Sequence, residues 1–235
     1  WDAEVEETAL GTTITFGLHS PDGDQGYPGN ADITVSYTLT PDNCLKLDYH
    51  MVSDADTIAN FTNHVYFNLG GYKSGSALDQ KVWIDADYFT ATDANSIPTG
   101  KLVAVKGTPM DFTEMKPIGR DIQEDYQALK YGNGYDHNWA LNHPAGELSL
   151  SAKAEDEKTG RTMEVYTDLP GVQFYTANSL KTEHGKNHAV YTPRCGYCFE
   201  TQYFPDAINK PEFASPVVKA GEEYKTTTIY KFGVK

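Results

Sequence analysis

The chain has 235 residues, enough for one domain with a sizeable core, and its 39% hydrophobic content is that of a globular protein rather than a disordered one. Its 33 acidic and 19 basic residues leave a formal net charge of −14, a surface that repels phosphate backbones and anionic lipid heads, so neither a nucleic-acid nor a membrane partner is expected. Only Arg120, Arg161 and Arg194 offer the guanidinium fork that grips phosphate, which favours a neutral small molecule over a sugar phosphate.

Along the chain the dominant period is that of a strand. Segments 12–19, 32–39 and 45–52 alternate apolar or aromatic residues with polar ones. Pro21-Asp22-Gly23-Asp24, Tyr27-Pro28-Gly29-Asn30 and Pro41-Asp42-Asn43 punctuate them as turns. Segments 65–69 and 82–84 follow, with Gly70-Gly71 between them, and a turn or two of helix is expected around 121–129. Beyond the Gly132-Asn133-Gly134 turn come segments 162–167, 172–176, 197–202 and 226–232, the second of them introduced by Pro170-Gly171. Many short strands with Gly, Pro and Asp between them predict an all-β sandwich or barrel, read here as a single domain over 1–235. The 16 tyrosines suit half-buried strands first and the faces of sugar rings second.

Four stretches gather polar groups that plain strands do not need. In Asn63-His64-Val65-Tyr66-Phe67-Asn68-Leu69, alternation puts His64, Tyr66 and Asn68 on one face and gives Val65, Phe67 and Leu69 to the core. His64 is either a satisfied structural histidine or a proton donor working near neutrality. In Gly132-Asn133-Gly134-Tyr135-Asp136-His137, two glycines release the chain into a tight turn and Asp136 opens a strand, with His137 turned to the opposite face. In Pro170-Gly171-Val172-Gln173-Phe174-Tyr175, Gln173 and Tyr175 share a face, and the Gln173 amide can both donate to and accept from sugar hydroxyls or serve a cross-strand bond. In Tyr197-Cys198-Phe199-Glu200-Thr201-Gln202, Glu200 sits within an aromatic run on the face of Cys198 and Gln202. A carboxylate there is costly to bury unless it is hydrogen-bonded or functional, the alternative being an edge strand with Glu200 facing water.

Cys44, Cys195 and Cys198 are too few and too odd for a disulfide framework, and two or three reduced thiols are compatible with the cytoplasm. The Cys195-x-x-Cys198 step has no second pair, so it is read as structural rather than half of a zinc site, and His19, His50, His143, His184 and His188 lack ligand spacing. No metal and no cofactor is expected. No apolar run approaches the ~20 residues of a membrane helix.

Taken together and in order, these stretches resemble the aldose 1-epimerase family. The resemblance also takes in Asp22-Gly23-Asp24-Gln25-Gly26-Tyr27-Pro28-Gly29, Pro205-Asp206-Ala207-Ile208-Asn209-Lys210-Pro211 and Gly221-Glu222-Glu223-Tyr224, so it spans essentially the whole chain. It implies a large antiparallel β-sandwich of the galactose mutarotase type and interconversion of the anomers of a free hexose. It further implies Glu200 as general base on the anomeric hydroxyl, His64 as general acid at the ring oxygen, and Asp136 and Gln173 as holders of other hydroxyls. Trp1-Asp2 resembles the end of a segment that follows a Leu-His-Gly-Gly turn. The chain is thus expected to match the C-terminal two-thirds of the family domain, lacking the part that carries a second active-site histidine and an arginine. A non-catalytic carbohydrate-binding domain is the alternative reading. A glycoside hydrolase would require a second carboxylate, such as Asp136, at a suitable distance from Glu200.

Overall fold

The computed structural model describes residues 1–182 and 185–235, so His184 lies outside the described residues. Its strands are β1 (Asp2–Thr8), β2 (Gly11–Ser20), β3 (Ala31–Leu39), β4 (Cys44–Ser53), β5 (Thr57–Ile58), β6 (Lys81–Ile84), β7 (Tyr88–Thr92) and β8 (Pro98–Ala104). They continue with β9 (Lys116–Pro117), β10 (Asp136–Ala140), β11 (Ser149–Glu155), β12 (Arg161–Thr167), β13 (Gly171–Tyr175), β14 (Cys198–Gln202), β15 (Val217–Val218) and β16 (Glu223–Val234). One short helix, α1 (Gln127–Gly132), precedes β10.

The strands form a nine-stranded sheet in the order β1-β2-β3-β4-β16-β12-β11-β6-β9 and a five-stranded sheet in the order β14-β13-β10-β7-β8, with β15 and β5 paired separately. Every pairing is antiparallel. In β4 the alternation buries Leu47, Tyr49 and Met51 and leaves Lys46, Asp48 and His50 partly exposed; in β12 it buries Met163, Val165 and Thr167. The inward face of the small sheet supplies Trp139, Val172, Phe174 and Phe199 to the same core. Each such side chain contributes about 1.5–3 kcal/mol by leaving water. Phe174 and Phe199 stack at 5.2 Å, and the two sheets are joined across the core by Thr201 Oγ1 and Thr228 Oγ1 at 2.5 Å and by the Tyr230 hydroxyl, which donates to the Phe199 carbonyl at 2.8 Å.

The all-β architecture is as expected, and eight of the nine predicted strand segments fall on observed strands. Segment 65–69 does not. It runs as extended chain tied to the sheet by a single bridge between Phe67 and Tyr197, and its alternation comes from Phe67 and Leu69 entering the core while Val65 remains 39% exposed. The helix occupies 127–132 rather than 121–129, because the 121–126 stretch is turns whose Asp121 carboxylate is engaged by Lys116 and Arg120. Among the described residues no helix is long and apolar enough to cross a membrane.

Candidate active site

The small sheet turns its other face outward, and register alone assembles polar side chains there. Asn138, Gln173 and Glu200 are cross-strand neighbours in one row; Asp136, Tyr175 and Cys198 form the next. Val172 and Phe174 alternate to the core side, and so does His137, which is buried against Phe89 and Trp139. Burial pushes the His137 imidazole down to about 4, so the ring is neutral, and its Nδ1 accepts the Asp136 backbone N–H at 3.2 Å. His137 therefore supports Asp136 from behind.

His64 arrives from outside the sheet, on the extended chain that ends in the Phe67–Tyr197 bridge. The resulting cleft, about 410 Å³, is lined by His64, Tyr66, Asp136, Gln173, Tyr175, Glu200, Gln202 and Pro205, a volume suited to a small molecule. All four side chains singled out in the sequence thus meet in one place. Tyr66, Tyr175, Gln202 and Cys198 join them. Alternation had already put Tyr175 beside Gln173 and Gln202 and Cys198 beside Glu200, and that shared face was the available signal.

The local turn chemistry explains how Asp136 is aimed. α1 ends with Asn133 in the left-handed region (φ 51°, ψ 38°), followed by Gly134 at φ +126°. A Cβ on Gly134 would lie 2.5 Å from Asn178 Oδ1, and Asn178 Nδ2 donates to the carbonyls of Gly132 (2.9 Å) and Tyr135 (3.0 Å). Only glycine suits that position.

Glu200 lies on β14, an edge strand, yet its side chain is only 13% exposed because His64 and the chain around it cover that edge. Its Oε1 stands 3.5 Å from Nε2 of His64. Burial raises the Glu200 carboxyl to about 7; His64 opposes the rise and the nearby Asp136 adds to it. Asp136 is likewise raised by burial, against the pull of Gln173, whose Nε2 donates to Asp136 Oδ1 at 2.8 Å. Among the described residues Gln173 Oε1, in the lining of the cleft, and the Asn138 amide, next to it in the same row, are buried without a protein partner, leaving unused hydrogen-bonding capacity beside the cleft.

His64 Nδ1 lies 3.4 Å from Cys198 Sγ, so donor atoms of His64, Cys198 and Glu200 fall within 4.8 Å of one another. The ring turns one nitrogen to the thiol at hydrogen-bond distance and the other to the carboxylate in an ion-pair contact. A metal ion would need one nitrogen facing both. A larger depression of about 1060 Å³ elsewhere is lined by Asp87, Asp111, Glu114, Arg120, Asp121 and Glu124 among others; there Arg120 and Asp121 neutralise each other. It lacks the facing acid and base.

A carboxylate near neutral pKa opposite an imidazole, in a cleft walled by tyrosines on a β-sandwich, can move protons to and from a small hydroxylated molecule. A family model described as aldose 1-epimerase matches residues 1–231. The chain is 41% identical over 226 residues to a galactose mutarotase of Homo sapiens, covering 96% of this chain and 64% of that one. It is 38% identical over 234 residues to an aldose 1-epimerase of Haemophilus influenzae, covering 93% and 64% respectively. The crystal structure of a galactose 1-epimerase from Lactobacillus acidophilus matches with a TM-score of 0.85 at 29% identity, covering 100% of this chain and 66% of that one. This chain belongs to the aldose 1-epimerase family. It spans 64% of the length of the human and Haemophilus relatives.

Proposed function

We propose that this protein interconverts the α and β anomers of a free, neutral hexose such as galactose or glucose by acid–base ring opening. The observation that carries the reading is the facing pair, Glu200 Oε1 and His64 Nε2 at 3.5 Å, at the open floor of the cleft. Glu200 removes the proton from the anomeric hydroxyl, the bond between C1 and the ring oxygen breaks, and His64 delivers a proton to that oxygen. Rotation about C1–C2 in the open-chain aldehyde and reversal of the two proton transfers close the ring on the other face. Each group contributes typically ~10²–10⁴-fold. A carboxyl near 7 suits the work, being ionised enough at neutral pH to accept a proton and basic enough to do so readily. Asp136 and Gln173 hold further hydroxyls, and the tyrosine faces offer apolar surface to the C–H side of the sugar. The free thiols Cys44, Cys195 and Cys198 fit a reducing compartment such as the cytoplasm.

The test is exchange NMR between the α and β anomeric protons of galactose. Protein-dependent exchange is expected for galactose, while methyl β-galactoside, which has no free anomeric hydroxyl, remains intact. Binding without exchange would favour a carbohydrate-binding domain, and release of methanol a glycoside hydrolase.

A further inference from the structure

Three kinds of group surround the His64 ring. Glu200 faces Nε2, Tyr66 and Tyr175 flank the ring with centroids at 5.0 and 5.8 Å, and Cys198 Sγ faces Nδ1 at 3.4 Å. Cys198 is fully buried, and it precedes Glu200 by two residues on β14, so the strand's own alternation delivers thiol and carboxylate to the same imidazole. The acid role of His64 proposed above leaves this sulfur unexplained.

We infer that Cys198 is a positioning residue whose sulfur accepts from Nδ1–H of His64, so that the proton an imidazolium transfers is the Nε2–H facing the cleft and the neutral ring it leaves is the Nδ1–H tautomer, its Nε2 lone pair ready to take the proton back. The hydrogen bond made by one ring nitrogen decides which nitrogen carries the proton. Burial, with the neighbouring Glu200 and Asp136 carboxyls adding to it, pushes the Cys198 thiol far up, so sulfur keeps its hydrogen. Its sulfur lone pairs remain free to accept from Nδ1–H of the neutral ring, which leaves Nε2 bare toward the cleft. When the ring is an imidazolium, Nδ1–H is the donor and the same sulfur accepts. One thiol therefore serves both protonation states that His64 passes through as it gives up and regains a proton, with no movement of the ring. A methyl group in its place satisfies neither state.

This inference rests on the acid role of His64, so its test has a readout that does not need activity. Long-range ¹H–¹⁵N correlation spectra report the tautomer of neutral His64. They are recorded in a Glu200→Gln background, where no carboxylate draws the proton to Nε2. The Nδ1–H pattern is expected with Cys198 and with Cys198→Ser, and a mixture of tautomers with Cys198→Val or the smaller Cys198→Ala. With Glu200 intact, kcat is expected to fall about tenfold in Cys198→Ala with KM within twofold, and to return to within about threefold of the native value in Cys198→Ser. An Nε2–H pattern with Cys198 in place, a pure Nδ1–H pattern in the folded Val and Ala variants, or a Ser variant as impaired as Ala, would overturn the assignment. Absence of anomerisation in the native protein would instead overturn the proposed function, with the spectra still reporting on Cys198.

Discussion

The Tyr230 hydroxyl lies 2.9 Å from Asn63 Oδ1 and, on its other side, donates to the Phe199 carbonyl at 2.8 Å. Asn63 immediately precedes His64 and Phe199 immediately precedes Glu200, so one buried side chain of the large sheet ties the chain on which each member of the proposed pair is carried. His64 comes from extended chain outside the sheets and Glu200 from an edge strand, neither of which is rigid by itself. Tyr230 and the Phe67–Tyr197 bridge supply the missing rigidity.

Tyr230→Phe keeps the ring and its contact with Phe67 but removes the hydroxyl, leaving Asn63 Oδ1 and the Phe199 carbonyl with one partner fewer in a dry interior. Destabilisation of about 1–3 kcal/mol is expected in denaturant titration. The anomerisation rate should fall as well, because the two groups no longer share an anchor. A stability loss without any loss of rate would show that the anchor is purely structural.

Glu200→Gln is expected to move function and stability in opposite directions. Loss of the base should lower the rate by ~10²–10⁴-fold. The folded carboxyl, raised to about 7, binds a proton over a range in which the unfolded one has already lost it. That contribution to stability is therefore fully present below the unfolded value, near 4.3, and is lost as pH rises through about 7. The variant should match the native protein's stability at pH 4 and exceed it at pH 8 by up to about 3 kcal/mol. Melting curves at the two pH values test this; a variant less stable at pH 8 contradicts it.

The same carboxyl predicts the pH profile of the proposed anomerisation. The acid limb of kcat/KM, which reports the free enzyme, should have its midpoint near 7 and vanish in Glu200→Gln. A midpoint near 4 would place the base elsewhere.

Gly134→Ala forces a Cβ to within 2.5 Å of Asn178 Oδ1 at a φ of +126°. Strain and collision together should cost about 2–4 kcal/mol, and the turn that aims Asp136 should shift. Weaker galactose binding is expected alongside the lower melting temperature, measured by calorimetry on the folded fraction. Unchanged affinity would show that Asp136 does not hold the sugar.

The legibility of this fold followed its physical periodicity. Strands such as β4 and β16 were plain because alternate residues enter one core over a long run. β7, β8 and β11 were missed because Thr, Ala, Ser and Gly carry little hydrophobic contrast. The segment around His64 was read as a strand because Phe67 and Leu69 mimic the alternation, whereas a single bridge is all the pairing it has. Glu200 was legible by itself, since a carboxylate in an aromatic run breaks local expectation, whereas His64, Asp136 and Gln173 each fit an ordinary structural role at least as well. The family resemblance implied that the four act together, but their convergence was not legible from the residues alone, because it depends on the register that sets Gln173 beside Glu200. Cys198 escaped notice as a site residue because the Cys-x-x-Cys spacing directed attention to metal binding, although alternation had already put it on the face of Glu200.

Polarimetry of freshly dissolved α-D-galactose tests the central claim most directly. A first-order approach to equilibrium rotation that accelerates in proportion to native protein, and loses that acceleration in a folded Glu200→Gln variant that still binds galactose, is the predicted result. A native protein that is folded and binds galactose, yet leaves the spontaneous rate unchanged, would contradict it.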